Sequence, residues 1–466
     1  MGLQGRLGWA LRWAALVVLV VVVALGCAAD DEGPANADEP LTQEQREQAE
    51  ALGLDPEKPY AGTELNFLIC CHDAPQFADL QQLSNSEFTE LTGISVKWGE
   101  VPFASFQQRV VTEATTGGGT YDIVAWVDSW GPSIRSSLVP LDEKIEQDNI
   151  DMSDFPPAYR EASTIGSEDG TYYGMPLRGH AFTYFYREDV YNDLGIEPAE
   201  TWDEFVEQGE QIKQETDLYP ISMYYGRTSG QNVFMWLDLL WGNGSDVFDE
   251  EYRPTFNDAE GVEATELYID FLREYEMTPP ASVSWDETEG QQGLGQGKAA
   301  SFMGWSWIYS LLTGPDASKG VRDNIAFSTP PVWEGKEPVS YGYLWPTGIL
   351  ESSQNQDAAW EYLKWMTSAE TEKQTLTGPQ PRDIASVHMS NFRDPEVNEL
   401  SNGLHENLAE VLKDSRTTPM IEEWPEVQEV ISTALSEMAG GADVESTLDE
   451  TAAEVERIME REGYYD

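Results

Sequence analysis

Residues 121–130 read Tyr-Asp-Ile-Val-Ala-Trp-Val-Asp-Ser-Trp, an apolar run that predicts a buried β-strand followed by a polar, aromatic loop. Three further stretches predict strands: residues 94–98, 184–186 and 300–303. Helical patterns or capping signals lie around them, at residues 201–212, 259–275 and 357–368. Strands that alternate with helices along the chain indicate an α/β fold.

Length and charge narrow the class of protein. The chain has 466 residues, more than one hydrophobic core usually supports, so two lobes are expected. It carries 84 acidic and 27 basic side chains, a formal net charge of −57. This charge argues against nucleic acid as a partner, because neutralising phosphates requires clusters of Lys and Arg. The acid is spread along the chain, which is typical of a surface adapted to salt.

The N-terminus predicts export. Residues 14–25 form an unbroken apolar run of 12, the length of a signal-peptide core and too short to span a bilayer. Residues 23–27, Val-Ala-Leu-Gly-Cys, resemble a bacterial lipoprotein signal, in which Cys27 becomes the lipidated N-terminus. An ordinary secretory signal cleaved nearby is the alternative. We expect a signal peptide at 1–27, an acidic tether at 28–62, and a mature chain anchored in the cell envelope outside the cytoplasmic membrane.

Cys70 and Cys71 are adjacent at the end of an apolar run. Neighbouring Cα atoms lie about 3.8 Å apart, below the usual disulfide range of roughly 4.4–6.8 Å. Two buried thiols are therefore one expectation, and a vicinal disulfide formed in an oxidising compartment is the other.

Catalytic and metal-binding signatures are weak. Residues 304–308 lack the second Gly of a nucleophile elbow, and residues 293–299 lack the Gly spacing and the Ser/Thr of a phosphate loop. The four His residues are too far apart in sequence for paired zinc ligands. We therefore expect no enzyme, cofactor or metal. The 16 Trp and 20 Tyr, many in predicted loops, suit carbohydrate, whose C–H faces pack on rings while its hydroxyls need polar partners.

The order of the motifs resembles the family 1 extracellular solute-binding proteins of ABC sugar importers, the group that includes maltose-binding protein. The matching stretches are 121–130 with 138–142, 169–176 with 184–189 and 201–204, 297–305, 343–349 with the helix that follows, and 381–382. The resemblance covers about residues 64–460 and implies a two-lobed, periplasmic-binding-protein-like α/β fold with an interlobe ligand cleft. The family's strand crossings imply lobe one at 63–178 plus 338–379 and lobe two at 179–337 plus 380–466.

The resemblance also implies an activity. A monomeric receptor would close about its hinge on a sugar or oligosaccharide and present the closed form to membrane permease subunits. Receptors for a polyol or glycerol phosphate are alternatives within the family, although an anionic ligand would want more cations than Arg178 and Arg382 offer. A secreted carbohydrate-active hydrolase and a purely structural surface lipoprotein are the alternatives outside it.

A set of ligand-binding residues follows from the same resemblance. By position these are His72, Asp73, Trp126, Asp128, Trp130, Arg178, Tyr224, Tyr225, Trp305, Trp307, Tyr343, Trp345 and Arg382. Trp305 matches the family's main stacking aromatic residue. Core packing is the alternative for Trp126 and Trp305, and a structural role is the alternative for Arg178 and Arg382.

Replacing Cys27 by Ser is expected to abolish lipid attachment and to leave ligand affinity unchanged, because Cys27 lies outside both expected lobes. Detergent-phase partition and the mass of the N-terminal peptide measure the attachment. Wild-type protein that stays in the aqueous phase with an unmodified N-terminus would instead indicate an ordinary secretory signal.

Overall fold

The computed structural model describes residues 40–71, 75–378 and 385–465. Within these ranges nine strands form one connected sheet, in the order β2-β1-β3-β8-β4-β6-β5, with β7 paired to β4 and β9 paired to β8. The strands are β1 (Glu64–Cys70), β2 (Ser95–Val101), β3 (Ile123–Ala125), β4 (Met175–Arg187), β5 (Tyr219–Ser222), β6 (Ala299–Trp305), β7 (Ile325–Ser328), β8 (Ser340–Ile349) and β9 (Ser415–Arg416). All four strands expected from the sequence are present.

Helices separate most of the strands, which confirms the α/β class. They are α1 (Gln43–Ala51), α2 (Pro75–Leu83), α3 (Thr89–Thr92), α4 (Phe103–Thr116), α5 (Asp142–Gln147), α6 (Pro157–Thr164), α7 (Glu188–Leu194), α8 (Trp202–Glu215), α9 (Asn232–Asn243), α10 (Ala259–Arg273), α11 (Glu287–Gly295), α12 (Ile308–Thr313), α13 (Lys319–Arg322), α14 (Gln356–Met366), α15 (Ala369–Leu376), α16 (Met389–Phe392), α17 (Pro395–Leu400), α18 (Leu404–Leu412), α19 (Trp424–Ala439) and α20 (Val444–Arg461). Short 3-10 segments occupy Asp128–Ser137, Met152–Asp154, Thr228–Gly230 and Pro280–Ser284, and a π-helical turn occupies Ser84–Phe88.

The expected helices are found at α8, α10 and α14. Thr201 caps α8, since its side chain accepts a hydrogen bond from the Glu204 N–H at 3.2 Å. The Glu204 carboxylate accepts from the Glu200 N–H at 3.0 Å, so the reciprocal half of the expected capping box is made one residue earlier.

Two separate hydrophobic cores confirm the two-lobed architecture. Lobe one is built on β1, β2, β3 and the first half of β4, and lobe two on the second half of β4 with β5 and β6. The chain crosses between the cores at three neighbouring places, because Ala181 belongs to the first core and Phe182 to the second, and Tyr341 to the second and Leu344 to the first. The third crossing is β9, which pairs with β8. We call residues 181–182, 341–344 and 415–416 the hinge.

Residues 385–412 correct the expected lobe boundaries. Their apolar side chains, among them Phe392, Leu408 and Leu412, pack in the first core, whereas the sequence expectation gave everything after residue 379 to lobe two. His388 fixes the segment there, since its Nδ1 lies 3.0 Å from Asp154 Oδ2 and its Nε2 lies 2.9 Å from the Thr367 carbonyl oxygen. The second core resumes at Ile421, after the third crossing.

Residues 40–62 are also corrected, because they pack on lobe one and do not form a tether. Thr42 begins α1 with a complete capping box. Leu41, Ala49, Leu52 and Leu54 join the first core. The acidic composition of this stretch concealed four apolar side chains that share one buried side. Residues 28–39 of the expected tether, and the signal peptide, lie outside the described residues.

Cys70 and Cys71 are bonded to each other, so the vicinal disulfide is the alternative that the structure contains. Cys70 is fully buried at the end of β1, and Cys71 adopts a φ of 56°, so the chain turns as the strand ends. His72 and Asp73 follow this turn and lie outside the described residues.

Leu54→Ala is expected to lower the free energy of unfolding by about 2–5 kcal/mol, because Leu54 is 3% exposed within the first core. Leu400→Ala is the matched control: this side chain is 45% exposed, and its loss should change stability by less than about 0.5 kcal/mol. Urea midpoints measure both variants. Equal midpoints would restore the tether interpretation of residues 40–62.

Candidate functional site

A cavity of about 540 Å³ lies between the two lobes. This volume falls within the roughly 300–1,000 Å³ typical of small-molecule sites. Lobe one contributes Gln107, Ser129 and Trp130, and lobe two contributes the start of α19 and the segment 227–230. Hydroxyl, amide and guanidinium groups and the Glu429 carboxylate therefore surround one aromatic ring, and both lobes are needed to form the cavity.

An aromatic wall lines the lobe-one side of this region. The Trp345 ring stacks on Phe103 and Phe106, with centroids 6.0 Å and 5.7 Å away. Trp130 meets Phe106 edge-on at 5.7 Å. Phe103 is 46% exposed, a large apolar area left uncovered. The sequence expectation included Trp130 and Trp345 and missed both Phe residues, although their place at the start of α4, directly after β2, is a signal that points to a strand end.

Trp305 stands at the end of β6, where lobe two meets the hinge. Its ring lies 4.5 Å from Phe182, 5.0 Å from Tyr343 and 5.5 Å from Phe234. Its Nε1 donates to Gln231 Oε1 at 3.4 Å, which ties it to the segment 227–230 that lines the cavity. The ring is only 4% exposed, so Trp305 packs among aromatic side chains in this state of the molecule and does not project freely.

Arg178 and His180 of β4 form a chain of hydrogen bonds that reaches Ser306 of lobe two. The Arg178 guanidinium lies 5.1 Å from the centre of the Trp345 ring, and its Nε donates to His180 Nε2 at 3.2 Å. Burial, reinforced by the Arg178 charge, holds the pKa of His180 well below its usual range. The imidazole is therefore neutral, and since Nε2 accepts from Arg178 we assign the proton to Nδ1, which donates to Ser306 Oγ at 3.3 Å.

Tyr343 connects the aromatic wall of lobe one with Trp305 of lobe two. Its hydroxyl accepts a hydrogen bond from Trp345 Nε1 at 2.7 Å, and its ring packs against both hydrophobic cores. The structure thus brings four of the expected residues together, Arg178, Trp305, Tyr343 and Trp345, with Trp130 at the edge of the same aromatic wall.

Asp128 does not face a ligand. It is fully buried, and its carboxylate accepts hydrogen bonds from the Tyr341 hydroxyl at 2.9 Å and the Leu344 N–H at 3.2 Å. Burial raises the pKa of Asp128 to about 7, although these hydrogen bonds act in the opposite direction. Asp128 secures the hinge strand, and the expectation that it contacts solute is wrong.

Trp126 and Tyr225 are core residues. Both are fully buried, Trp126 in lobe one and Tyr225 in lobe two. A Cβ at Gly174 or Gly348 would come within 2.9 Å or 3.0 Å of the Trp126 ring, so the close approach of these two glycines encloses it. The Tyr225 hydroxyl donates to the Tyr268 carbonyl oxygen at 3.0 Å. The sequence left ligand contact and core packing open for Trp126, and in the structure Trp126 packs in the core.

Of the remaining predicted residues, two pack in or against the second core and the others lie outside the described residues. Tyr224 is buried after β5, and Trp307 is half-buried against the second core. His72, Asp73, Arg382 and the lipidation residue Cys27 lie outside the described residues. Within the described ranges no three His, Cys, Asp or Glu side chains gather as a metal site would require. No helix in the same ranges is both long and apolar enough to cross a bilayer.

A larger cavity, of about 800 Å³, lies beside the start of β8. Trp202 and Trp333 line it from lobe two, and Lys413 lines it from the end of α18. It contains none of the residues that the sequence predicted, so volume alone does not identify the site.

The family model of bacterial extracellular solute-binding proteins matches residues 74–373. The chain belongs to this family. Its members are binding proteins, in keeping with the interlobe cavity.

Individual relatives agree with this assignment over most of the chain. A probable amino-acid ABC transporter periplasmic-binding protein of Sinorhizobium fredii is 24% identical over 87% of this chain and 92% of its own. The mannitol-binding protein of Pseudomonas aeruginosa is 26% identical over 62% of this chain and 66% of its own. The structure of maltose-bound MalE3 of T. maritima has a TM-score of 0.73 at 19% identity, covering 85% of this chain and 100% of that one, which shows a shared fold.

Asp128→Asn is expected to flatten the pH dependence of stability. The folded pKa of about 7 lies above the unfolded value near 3.9, so the stabilising contribution is complete below the unfolded pKa and is lost as the pH rises through about 7. Asn cannot titrate and removes this component of the slope. Urea midpoints between pH 4.5 and 8 measure it.

Asp217→Asn, at an exposed position, is the control and should keep the wild-type slope. Parallel slopes for Asp128→Asn and wild type would mean that Asp128 titrates alike in the folded and unfolded states.

Proposed function

We propose that this protein is the substrate receptor of an ABC importer and binds a carbohydrate between its lobes by closing its hinge. The observation that carries the proposal is the interlobe cavity, in which Trp130 lies among hydroxyl and amide groups. Phe106 packs on both Trp130 and Trp345, and Trp305 donates to Gln231, the residue after Gly230 of the cavity lining. Carbohydrate matches this surface because its C–H faces pack on rings and its hydroxyls pair with polar side chains.

Hinge closure follows from how the cavity is divided between the lobes. The aromatic wall belongs to lobe one, while the segment 227–230 and the start of α19 belong to lobe two. A ligand contacts both sets only when the lobes approach each other, so ligand binding favours the closed state. Permease subunits of the importer then distinguish loaded from empty receptor by the lobe arrangement.

Other ligand classes can be compared by how well their polar groups match the side chains of the cavity. A polyol such as mannitol shares the hydroxyl pattern of a sugar, and one relative is a mannitol-binding protein, so polyols are the second candidate. An amino acid, suggested by the description of another relative, needs partners for a carboxylate and an ammonium group, and Arg227 and Glu429 of the cavity lining carry the matching charges, so an amino acid is the third candidate. A glycerol phosphate needs several cations, whereas the cavity lining contains one, Arg227, and Arg178 lies over Trp345 and donates to His180.

We further propose that the receptor acts as a monomer held by a lipid on Cys27 in the cell envelope, outside the cytoplasmic membrane. The apolar run at 14–25 and the Cys that follows it support this placement.

A thermal-shift screen of sugars, oligosaccharides, polyols, amino acids and glycerol 3-phosphate tests the ligand class. A ligand at 100 times its Kd adds about 2.7 kcal/mol to the free energy of unfolding. Stabilisation by an amino acid alone would contradict the carbohydrate proposal. Release of reducing sugar during prolonged incubation with oligosaccharides would indicate a hydrolase.

Trp305→Ala is expected to weaken ligand binding about 30- to 1,000-fold, because it removes the ring that packs between Phe182 and Tyr343 at the cleft. Since this ring is 4% exposed, the ligand-free variant should also lose about 3–5 kcal/mol of stability. Calorimetric Kd values for the folded fraction separate the two effects.

Trp333→Ala is the matched control, since Trp333 lines the larger cavity of the same lobe. It should keep the wild-type Kd. An unchanged Kd for Trp305→Ala with a weakened Trp333→Ala would move the ligand site to the larger cavity.

A further inference from the structure

The Cys70–Cys71 disulfide lies at the sheet edge from which the lobe-one side of the cavity is built. β1 lies between β2 and β3 and is parallel to both, so the carboxyl ends of the three strands meet at one edge. Cys70 ends β1 and pairs with Val101, the last residue of β2. The segment that carries Trp130 of the cavity follows β3 at the same edge. The disulfide therefore stands between two segments that lead into the cleft.

The strand pair at the end of β1 leads directly to the aromatic wall. One residue separates Val101 from Phe103, the first residue of α4. The Phe103 ring stacks on Trp345 at 6.0 Å. Phe106, in the first turn of the same helix, packs on both Trp130 and Trp345. A displacement at the end of β1 thus reaches the ring that lines the cavity through one strand pair and one turn of α4.

The chain that follows the disulfide leads to the same wall from the other side. Three residues separate Cys71 from Pro75, where α2 begins. Phe77, in the first turn of α2, is fully buried, and the centre of its ring lies 5.3 Å from Arg178 Cζ. The same guanidinium lies 5.1 Å from the centre of the Trp345 ring. Arg178 is therefore held between α2 and the aromatic wall.

The disulfide also restrains an unusual backbone conformation. Cys71 has a φ of 56°, in the left-handed region that residues with a side chain rarely adopt. Because the bond joins neighbours in the chain, it closes a small ring that includes the peptide between them. Opening this ring allows Cys71 to return to a negative φ. The direction in which the chain leaves β1 then changes, and with it the support of α2 and α4.

Deepening the proposed function, on which the inference rests, we propose that Cys70–Cys71 is a reversible redox site that controls the ligand affinity of the cleft. In the oxidised protein the bond holds the end of β1, and α2 and α4 present Arg178 and the aromatic wall in one arrangement. A site restrained in its binding arrangement loses less entropy when the ligand binds. Reduction releases the restraint and weakens binding.

Reduction takes place by thiol–disulfide exchange with a dithiol. Cys70 is fully buried and Cys71 is half-buried, so a thiolate of the reductant attacks the Cys71 sulfur. The bond between the two cysteines breaks, and Cys70 leaves as a thiolate and takes up a proton. The second thiol of the reductant then displaces Cys71, which also takes up a proton. Two electrons pass to the cysteines, and the dithiol is oxidised to a disulfide.

Calorimetry with D-mannitol, maltose and maltotriose, before and after treatment with dithiothreitol, tests the inference. Iodoacetamide labelling and mass measurement should count two additional free thiols after treatment. The affinity for the best probe should then fall about 3- to 30-fold, because the cleft wall is less restrained. Reoxidation should restore the original Kd, which distinguishes the redox effect from irreversible unfolding. An unchanged or lower Kd in the reduced protein, or a bond that dithiothreitol does not reduce, would overturn the inference while the receptor function stands.

Cys70→Ala/Cys71→Ala is the matched control. It lacks the bond, so it should bind as weakly as reduced wild type, and dithiothreitol should leave its Kd unchanged. Cys27 is the one other Cys of the chain, so no second disulfide within the chain responds to the reductant. Binding by this variant with wild-type affinity would overturn the inference.

Hydrogen exchange separates this inference from the proposed function. If none of the three probes binds to the oxidised protein, the carbohydrate proposal fails, and exchange in the peptides of α2 and α4 still reports the effect of the bond. Faster exchange there after reduction, with wild-type rates in α20 of lobe two, would support the redox site. Equal rates before and after reduction would overturn it.

Discussion

Tyr341 is held at both ends by buried carboxylates, and the position of the whole cleft depends on this one residue. Asp128, from the loop after β3, accepts from the Tyr341 hydroxyl at 2.9 Å, and Asp238, from α9, accepts from the Tyr341 N–H at 2.7 Å. One carboxylate belongs to lobe one and the other to lobe two, so both lobes grip the hinge strand at the same residue. Side chains alternate along a strand, which puts Tyr343 and Trp345 on the side of β8 that carries Tyr341. The hydrogen bonds that fix Tyr341 therefore also determine the direction in which Tyr343 and Trp345 point.

Much of the fold was predictable, because the strongest sequence signals are local. The apolar run at 121–127 and the helices at α8, α10 and α14 appear where their patterns indicated, and the order of motifs was sufficient to indicate two lobes. The assignment of 385–412 to a lobe was not predictable in the same way. An amphipathic helix such as α18 shows that it has a buried face, but its pattern carries no information on which core covers that face. That choice is made by long-range contacts such as His388 with Asp154.

The site was predictable in part, for a related reason. Core and cleft both use aromatic residues, so Trp126 and Trp130 look equivalent in sequence, although the first ring is fully buried and the second, four positions later, lines the cavity. Likewise Asp128 looks like a ligand contact because it is polar and follows a strand, and only its partners Tyr341 and Leu344 reveal its structural role.

Tyr343 connects the hinge to the cleft. It lies two residues from Tyr341, its ring is 5.0 Å from Trp305, and its hydroxyl accepts from Trp345. Its pKa is raised first by burial and then by the charge of Asp128, which bonds to the hinge strand. A ligand that displaces Trp305 or Trp345 must therefore move a side chain whose backbone is part of the lobe crossing. Densely packed interiors transmit displacement and absorb little of it, so under the proposed function ligand contact at the aromatic rings would be coupled to rotation at the hinge.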